Sequence, residues 1–185
     1  MKVPLVDLRA SFLPIRARLF EQLESLLEDM QLFLGPNLLA FEREFTAYCG
    51  AAQGVAVASG TCALRAALEA AGIGPGDEVI APSHTFFATI EAIVHAGATP
   101  VLVDVEPERL SIDVDEVASA LSARTKAIVP VHLYGHPAEM DPILALARAR
   151  GLRVIEDAAQ AHGARYRGRP CGSLGVAGCF SFYFT

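Results

Sequence analysis

Ser59-Gly60-Thr61 places a glycine between two hydroxyls where a short apolar run gives way to a helical one. At such a junction the first-turn N–H groups of the helix point at an anion. A glycine lets the backbone approach that anion and a threonine adds a hydroxyl, so the tripeptide suits a phosphate. A plain helix cap uses the same residues. Asp157 closes an apolar run containing Leu152, Val154 and Ile155, which would bury its carboxylate. A buried carboxylate needs a cation or hydrogen-bond donors, and either a cofactor nitrogen or a structural ion pair would serve. Gln160, one turn further on, reaches the same place. Glu156 points to the opposite face of the same strand, so the two carboxylates do not form an acid/base pair.

Other reactive residue types carry less. His132 and His136 have the spacing of zinc ligands on a helix, but Gly135 and Pro137 argue against that helix and no metal site is expected. His84, His95 and His162 read as structural, with His162 alone near enough to Asp157 to touch a ligand. Cys49, Cys62, Cys171 and Cys179 form no C-x-x-C pair and lack an activating partner, which fits reduced thiols in a cytosolic protein. No G-x-G-x-x-G, G-x-x-x-x-G-K-[ST] or G-x-S-x-G motif occurs. "GIGPGDE" precedes a strand and reads as a turn.

These residues must be held by something. Apolar spacing predicts helices over 14–32 and from about 37 to 48, the second closed by Gly50. From there short apolar strands alternate with helices. The strands are 54–59, 78–82, 99–105, 126–132 and 152–157, and the helices lie near 61–71, 86–96, 114–122 and 139–150. Strands apolar throughout and separated by helices indicate an α/β fold whose mostly parallel sheet is covered on both faces. After Gly163 the strands shorten, and the last stretch, "AGCFSFYFT", alternates as a strand entering a core. Ligands of such sheets bind beyond the carboxyl ends of the strands, where "SGT", "PSHTFFAT", "HLYGHP" and "EDAAQAHGA" all fall.

Composition sets the limits. A chain of 185 residues, 52% hydrophobic and 19% charged, can bury a sizeable core. A net charge of −6 argues against a general nucleic-acid surface. No apolar run is long enough to span a membrane, and Asp7 and Arg9 interrupt what would be the core of a signal peptide. Of the 15 basic residues only Lys2 and Lys126 are lysines.

In order and spacing, "FLGPNLLAFEREFTAYCG", "VASGTCAL", "GIGPGDEVIAPSHTFFAT", "RTKAIVPVHLYGHPAEMDPI", "VIEDAAQAHGARYRG" and "GCFSFY" resemble the DegT/DnrJ/StrS-type aminotransferases across essentially the whole chain. Those enzymes use pyridoxal 5'-phosphate (PLP) on nucleotide-linked keto sugars. The resemblance implies a three-layer, aspartate-aminotransferase-like large domain of fold type I over 51–185. A helical segment over 1–50 would precede it, with a smaller C-terminal domain beyond this chain. It implies that Gly60, Thr61 and Ser181 hold the cofactor phosphate. Phe86, rather than Phe87, would stack on the ring, Asp157 would pair with the ring nitrogen, and Gln160 would bond the phenolic oxygen. It also implies a Schiff-base lysine immediately after Thr185, so that no catalytic residue falls within 1–185. Neither Lys2 at the terminus nor Lys126 at the far end of its strand replaces it. An end at Thr185 fits either a truncated sequence or, in the reading favoured here, a break at a lysine covalently carrying the cofactor.

By the same resemblance the protein is a cytoplasmic homodimer with shared sites, taking an amino group from glutamate to a nucleoside-diphosphate (NDP) keto sugar. "FLGP" serves either a substrate pocket or a helix stop. Two alternatives stay open: a PLP-dependent sugar dehydratase with histidine in place of the lysine, or a truncated, non-catalytic binding fragment.

Overall fold

The structure, a computed structural model, describes residues 6–183. Lys2 and the last two residues of "AGCFSFYFT" lie outside them. The parallel sheet is built from β1 (Glu78–Pro82), β2 (Thr99–Val103), β3 (Thr125–Ile128), β4 (Arg153–Asp157) and β7 (Ala177–Cys179). Its order is β2-β1-β3-β4-β7, and every neighbouring pair is parallel. A short antiparallel hairpin, β5 (Arg165–Tyr166) and β6 (Arg169–Pro170), leads into β7.

The strands alternate between two cores, as their pleat requires. Val79, Ala81, Ala127, Val129 and Ile155 face helices α4 (Gly60–Ala70) and α5 (Phe87–His95), together with Leu64, Leu68 and Ile93. Ile80, Ile128 and Val154 face the other way, onto α6 (Val114–Ala120) and α7 (Met140–Arg150), with Val117, Met140 and Ile143. The chain is therefore a three-layer α/β structure, as the apolar strands predict. β3 ends earlier than expected because Pro130 has no N–H for the ladder, although its carbonyl still accepts from Asp157 N–H at 2.9 Å.

The strand expected at 54–59 does not form. Val55 is 81% exposed, and the Ala56 N–H donates to Glu42 Oε1 at 2.8 Å instead of to a neighbouring strand. An apolar run becomes a strand only where another backbone pairs with it. This segment and the sheet edge at β7 both line a cavity of about 960 Å³, and they make no ladder with each other.

Among the described residues three helices precede α4: α1 (Leu8–Phe12), α2 (Arg16–Glu28) and α3 (Pro36–Cys49). Pro36 starts α3 and Gly50, in the left-handed region, ends it. Phe41 and Phe45 of α3 pack against Phe180 and Phe182, centroids 5.0 to 5.1 Å apart, which ties the helix to the end of β7. α1 and α2 bury no residue.

Candidate active site

α4 begins where Ser59, in extended conformation, caps it: its hydroxyl accepts from Cys62 N–H at 3.2 Å. Its carbonyl accepts from Ala63 N–H at 2.9 Å. The N–H groups of Gly60 and Thr61 are left without an acceptor among the described residues, at the positive end of the helix dipole. Ser181, beyond β7, comes up against them. A Cβ added to Gly60 would sit 3.0 Å from Ser181 Cβ and 3.5 Å from its hydroxyl oxygen, so the close approach favours glycine. Two residues far apart in sequence, Gly60 and Ser181, thus meet at the start of α4 and line the same cavity, whose lining does not include Thr61.

Asp157 ends β4, between β3 and β7. It is buried, and its carboxylate has neutral partners only: Thr89 donates to Oδ2 at 2.7 Å and the Ala159 N–H to Oδ1 at 3.1 Å. Among the described residues no Lys, Arg or His forms an ion pair with it. Burial pushes its pKa up, against the downward pull of those two bonds. Each oxygen keeps a lone pair. A buried carboxylate with spare acceptor capacity and no cation fits a protonated ring nitrogen.

Gln160 is exposed just beyond, and its Oε1 accepts from the Tyr134 N–H at 2.8 Å. That bond leaves the side-chain NH₂ to donate elsewhere. Tyr134 pays for this position with a left-handed backbone (φ 54°), in the short 3₁₀ turn Leu133–Gly135 after β3. Its ring lies 6.5 Å from that of His84. Phe86 caps α5 in extended conformation and is 73% exposed, its face free for stacking. Phe87 is 70% exposed, so exposure does not discriminate between the two rings.

On the opposite face, Glu156 and His132 are fully buried. Glu156 Oε2 accepts from His132 Nε2 at 2.9 Å and Gly172 N–H at 2.7 Å. Its Oε1 accepts from the N–H groups of Leu174 (2.6 Å) and Gly175 (2.7 Å). His132 Nδ1 accepts from Ala138 N–H at 3.1 Å, so the imidazole is neutral with its proton on Nε2. Burial pushes the Glu156 pKa up, but the bonds from His132, Gly175 and Gly172 together outweigh it and hold it below the ordinary range. This carboxylate is a clamp on the loop before β7, facing away from Asp157 as the strand alternation predicts.

His162 packs as a structural residue would. Its ring packs among Phe45, Phe180 and Phe182, 4.9 to 6.0 Å between centroids. Lys126 is exposed near the start of β3, at the end of the sheet away from Asp157. Sequence reasoning missed Thr89 and Tyr134. The threonines one turn apart in "SHTFFAT", Thr85 and Thr89, are visible in the sequence, but their partner on β4 is not.

The model of the DegT/DnrJ/EryC1/StrS aminotransferase family matches residues 14–185. A UDP-N-acetyl-3-dehydro-α-D-glucosamine 3-aminotransferase of Acidithiobacillus ferrooxidans is 51% identical over 98% of this chain and 49% of its own. The Streptomyces venezuelae protein DesV, solved in complex with a ketimine intermediate, superposes with a TM-score of 0.95 at 48% identity, over 99% of this chain and 49% of its own. The Streptococcus pneumoniae protein Spr1654, solved in PLP and PMP forms, gives a TM-score of 0.77 at 33% identity, over 80% of this chain and 41 to 42% of its own. The chain spans about half the length of the curated relatives it matches.

Proposed function

The chain belongs to the DegT/DnrJ/EryC1/StrS aminotransferase family, and on that premise we propose that its protein is a PLP-dependent aminotransferase acting on an NDP-linked keto sugar in amino-sugar biosynthesis. The observation that carries this reading is Asp157: a buried carboxylate without a cation, on the same sheet edge as the Gly60–Ser181 cradle. Bound there, the cofactor supplies an electron sink through its protonated ring.

The residues divide the work of holding it. Gly60, Thr61 and Ser181 take the phosphate, by backbone N–H and hydroxyl groups. Phe86 covers one face of the ring, Asp157 accepts from the ring nitrogen, and Gln160 donates to the phenolic oxygen. A lysine directly after Thr185 would be the group that attaches the cofactor and serves in proton transfer. Residues 51–185 act as the cofactor-binding unit and 1–50 as a helical arm.

Glutamate is the amino donor in this reading, and the protein is a cytoplasmic homodimer. The exposed apolar faces of α1 and α2 support a second copy as the partner, since Leu19, Leu23 and Leu27 line one side of a helix that buries nothing. No helix among the described residues is long and apolar enough to cross a membrane.

The test is to incubate the full-length protein with PLP, glutamate and a panel of NDP-3-keto and NDP-4-keto sugars. An amino sugar detected by mass spectrometry from one of them is the expected result. Dehydrated product without amine would turn the reading to the dehydratase, and neither product would refute both.

A further inference from the structure

Asp157 does not stand alone at the end of β4. Thr89, 1% exposed in the first turn of α5, donates its hydroxyl proton to Oδ2 at 2.7 Å. The Thr89 hydroxyl also lies 2.7 Å from that of Thr85, one turn earlier. A hydroxyl has a single proton, and that of Thr89 is committed to Asp157, so Thr85 is the donor between the two. The three groups form a directed chain, Thr85 to Thr89 to Asp157, with all its dipoles aligned toward the carboxylate. Phe86, the cap of α5, lies between Thr85 and Thr89, so the start of α5 brings together the ring-covering side chain and the support for the carboxylate.

We propose that Thr89, backed by Thr85, is a positioning residue that fixes where the proton resides between Asp157 and the ring nitrogen of a bound pyridoxal or pyridoxamine phosphate. The proposal rests on the cofactor reading given above. Other groups facing Asp157 do not do this work. His132, behind the strand, is neutral and bonded to Glu156. The Cys179 thiol on β7 is pushed up to about 12 by burial and by the charges of Asp157 and Glu156, so it stays protonated. Ala159 contributes one backbone N–H to the other oxygen. Thr89 is therefore the side chain that makes the carboxylate a weaker base. With it, the shared proton stays on nitrogen and leaves the carboxylate charged. Without it, the buried carboxylate takes the proton and the ring nitrogen becomes neutral, the atoms and total charge of the pair being unchanged.

The experiment uses the full-length protein and pyridoxamine phosphate, whose binding needs no covalent link. Affinity is measured by calorimetry, and the ¹⁵N resonance of ring-labelled ligand reports the proton directly. Wild type should bind with its ring nitrogen protonated. Thr89→Val, of the same shape but without the hydroxyl, should bind about tenfold more weakly, with the resonance moved toward the neutral ring. Thr89→Ser should restore both, and Thr85→Val should move the resonance the same way by less.

A wild-type resonance retained in Thr89→Val would overturn the inference while leaving the cofactor reading intact. Failure of the wild type to bind would overturn both. Should Thr89→Val not fold by circular dichroism, Thr85→Val decides on the same criterion.

Discussion

A carboxylate held out of water without a cation is unfavourable until something fills its empty side. The folded-state pKa of Asp157 lies above its unfolded value. Its contribution to stability is therefore present below the unfolded pKa and is lost as pH rises through the folded one. At neutral pH the free protein carries this penalty, and a cationic ring nitrogen removes it. Asp157→Asn should accordingly unfold at an equal or higher temperature than wild type at neutral pH while losing pyridoxamine phosphate binding; thermal unfolding beside a binding titration checks both. Gly60→Val is the converse test. Its side chain must enter the space held by Ser181, and overpacking of this kind destabilises by about 1–3 kcal/mol. Binding should fall by more than that loss explains, because the intruding methyls also block the cradle. Asp157 was legible in the sequence because an apolar run ending in a carboxylate is conspicuous. Thr89 was not, since its meaning depends on α5 lying beside β4.

Between residues and fold stand the elements that bring the site together, and the loop before β7 is the least self-sufficient of them. It is held by the four bonds that Glu156 accepts, one from His132 and three from backbone N–H groups. Glu156→Gln puts an NH₂ against donors at one of its two oxygens, and roughly 2–4 kcal/mol of stability should be lost in urea unfolding. The pH dependence should change too. Glu156 has a folded pKa below its unfolded value, so its stabilisation is present above the unfolded pKa and lost as pH falls through the folded one. Glu156→Gln should flatten the acid limb of stability against pH. β1 and β4 stand where their apolar runs place them, within a residue, because both of their faces are buried and little else could be. The segment 54–59 reads equally well as a strand and is not one, because pairing is a property of two backbones and sequence shows only one of them. His162, read as structural, packs against aromatic rings that α3 and the end of β7 bring to it, partners its nearness to Asp157 in sequence did not reveal.

At the scale of the whole molecule, the N-terminal helices present apolar side chains that this chain does not cover. Leu19, Leu23 and Leu27 are each nearly half exposed, and Phe20 is 55% exposed. Replacing Leu23 and Leu27 together by glutamate should convert a dimer of the full-length protein to monomer in light scattering, with the sheet's circular dichroism retained. An unchanged mass would place the interface elsewhere. The central claim is that one cofactor joins the two halves of the carboxyl edge, its phosphate at α4 and its ring at β4. A crystal structure of the full-length protein with pyridoxamine phosphate tests that most directly. The phosphate should lie on the N–H groups of Gly60 and Thr61 and the hydroxyl of Ser181, with the ring nitrogen within hydrogen-bond distance of Asp157. A phosphate bound away from α4, or a ring nitrogen facing any group other than Asp157, would contradict it.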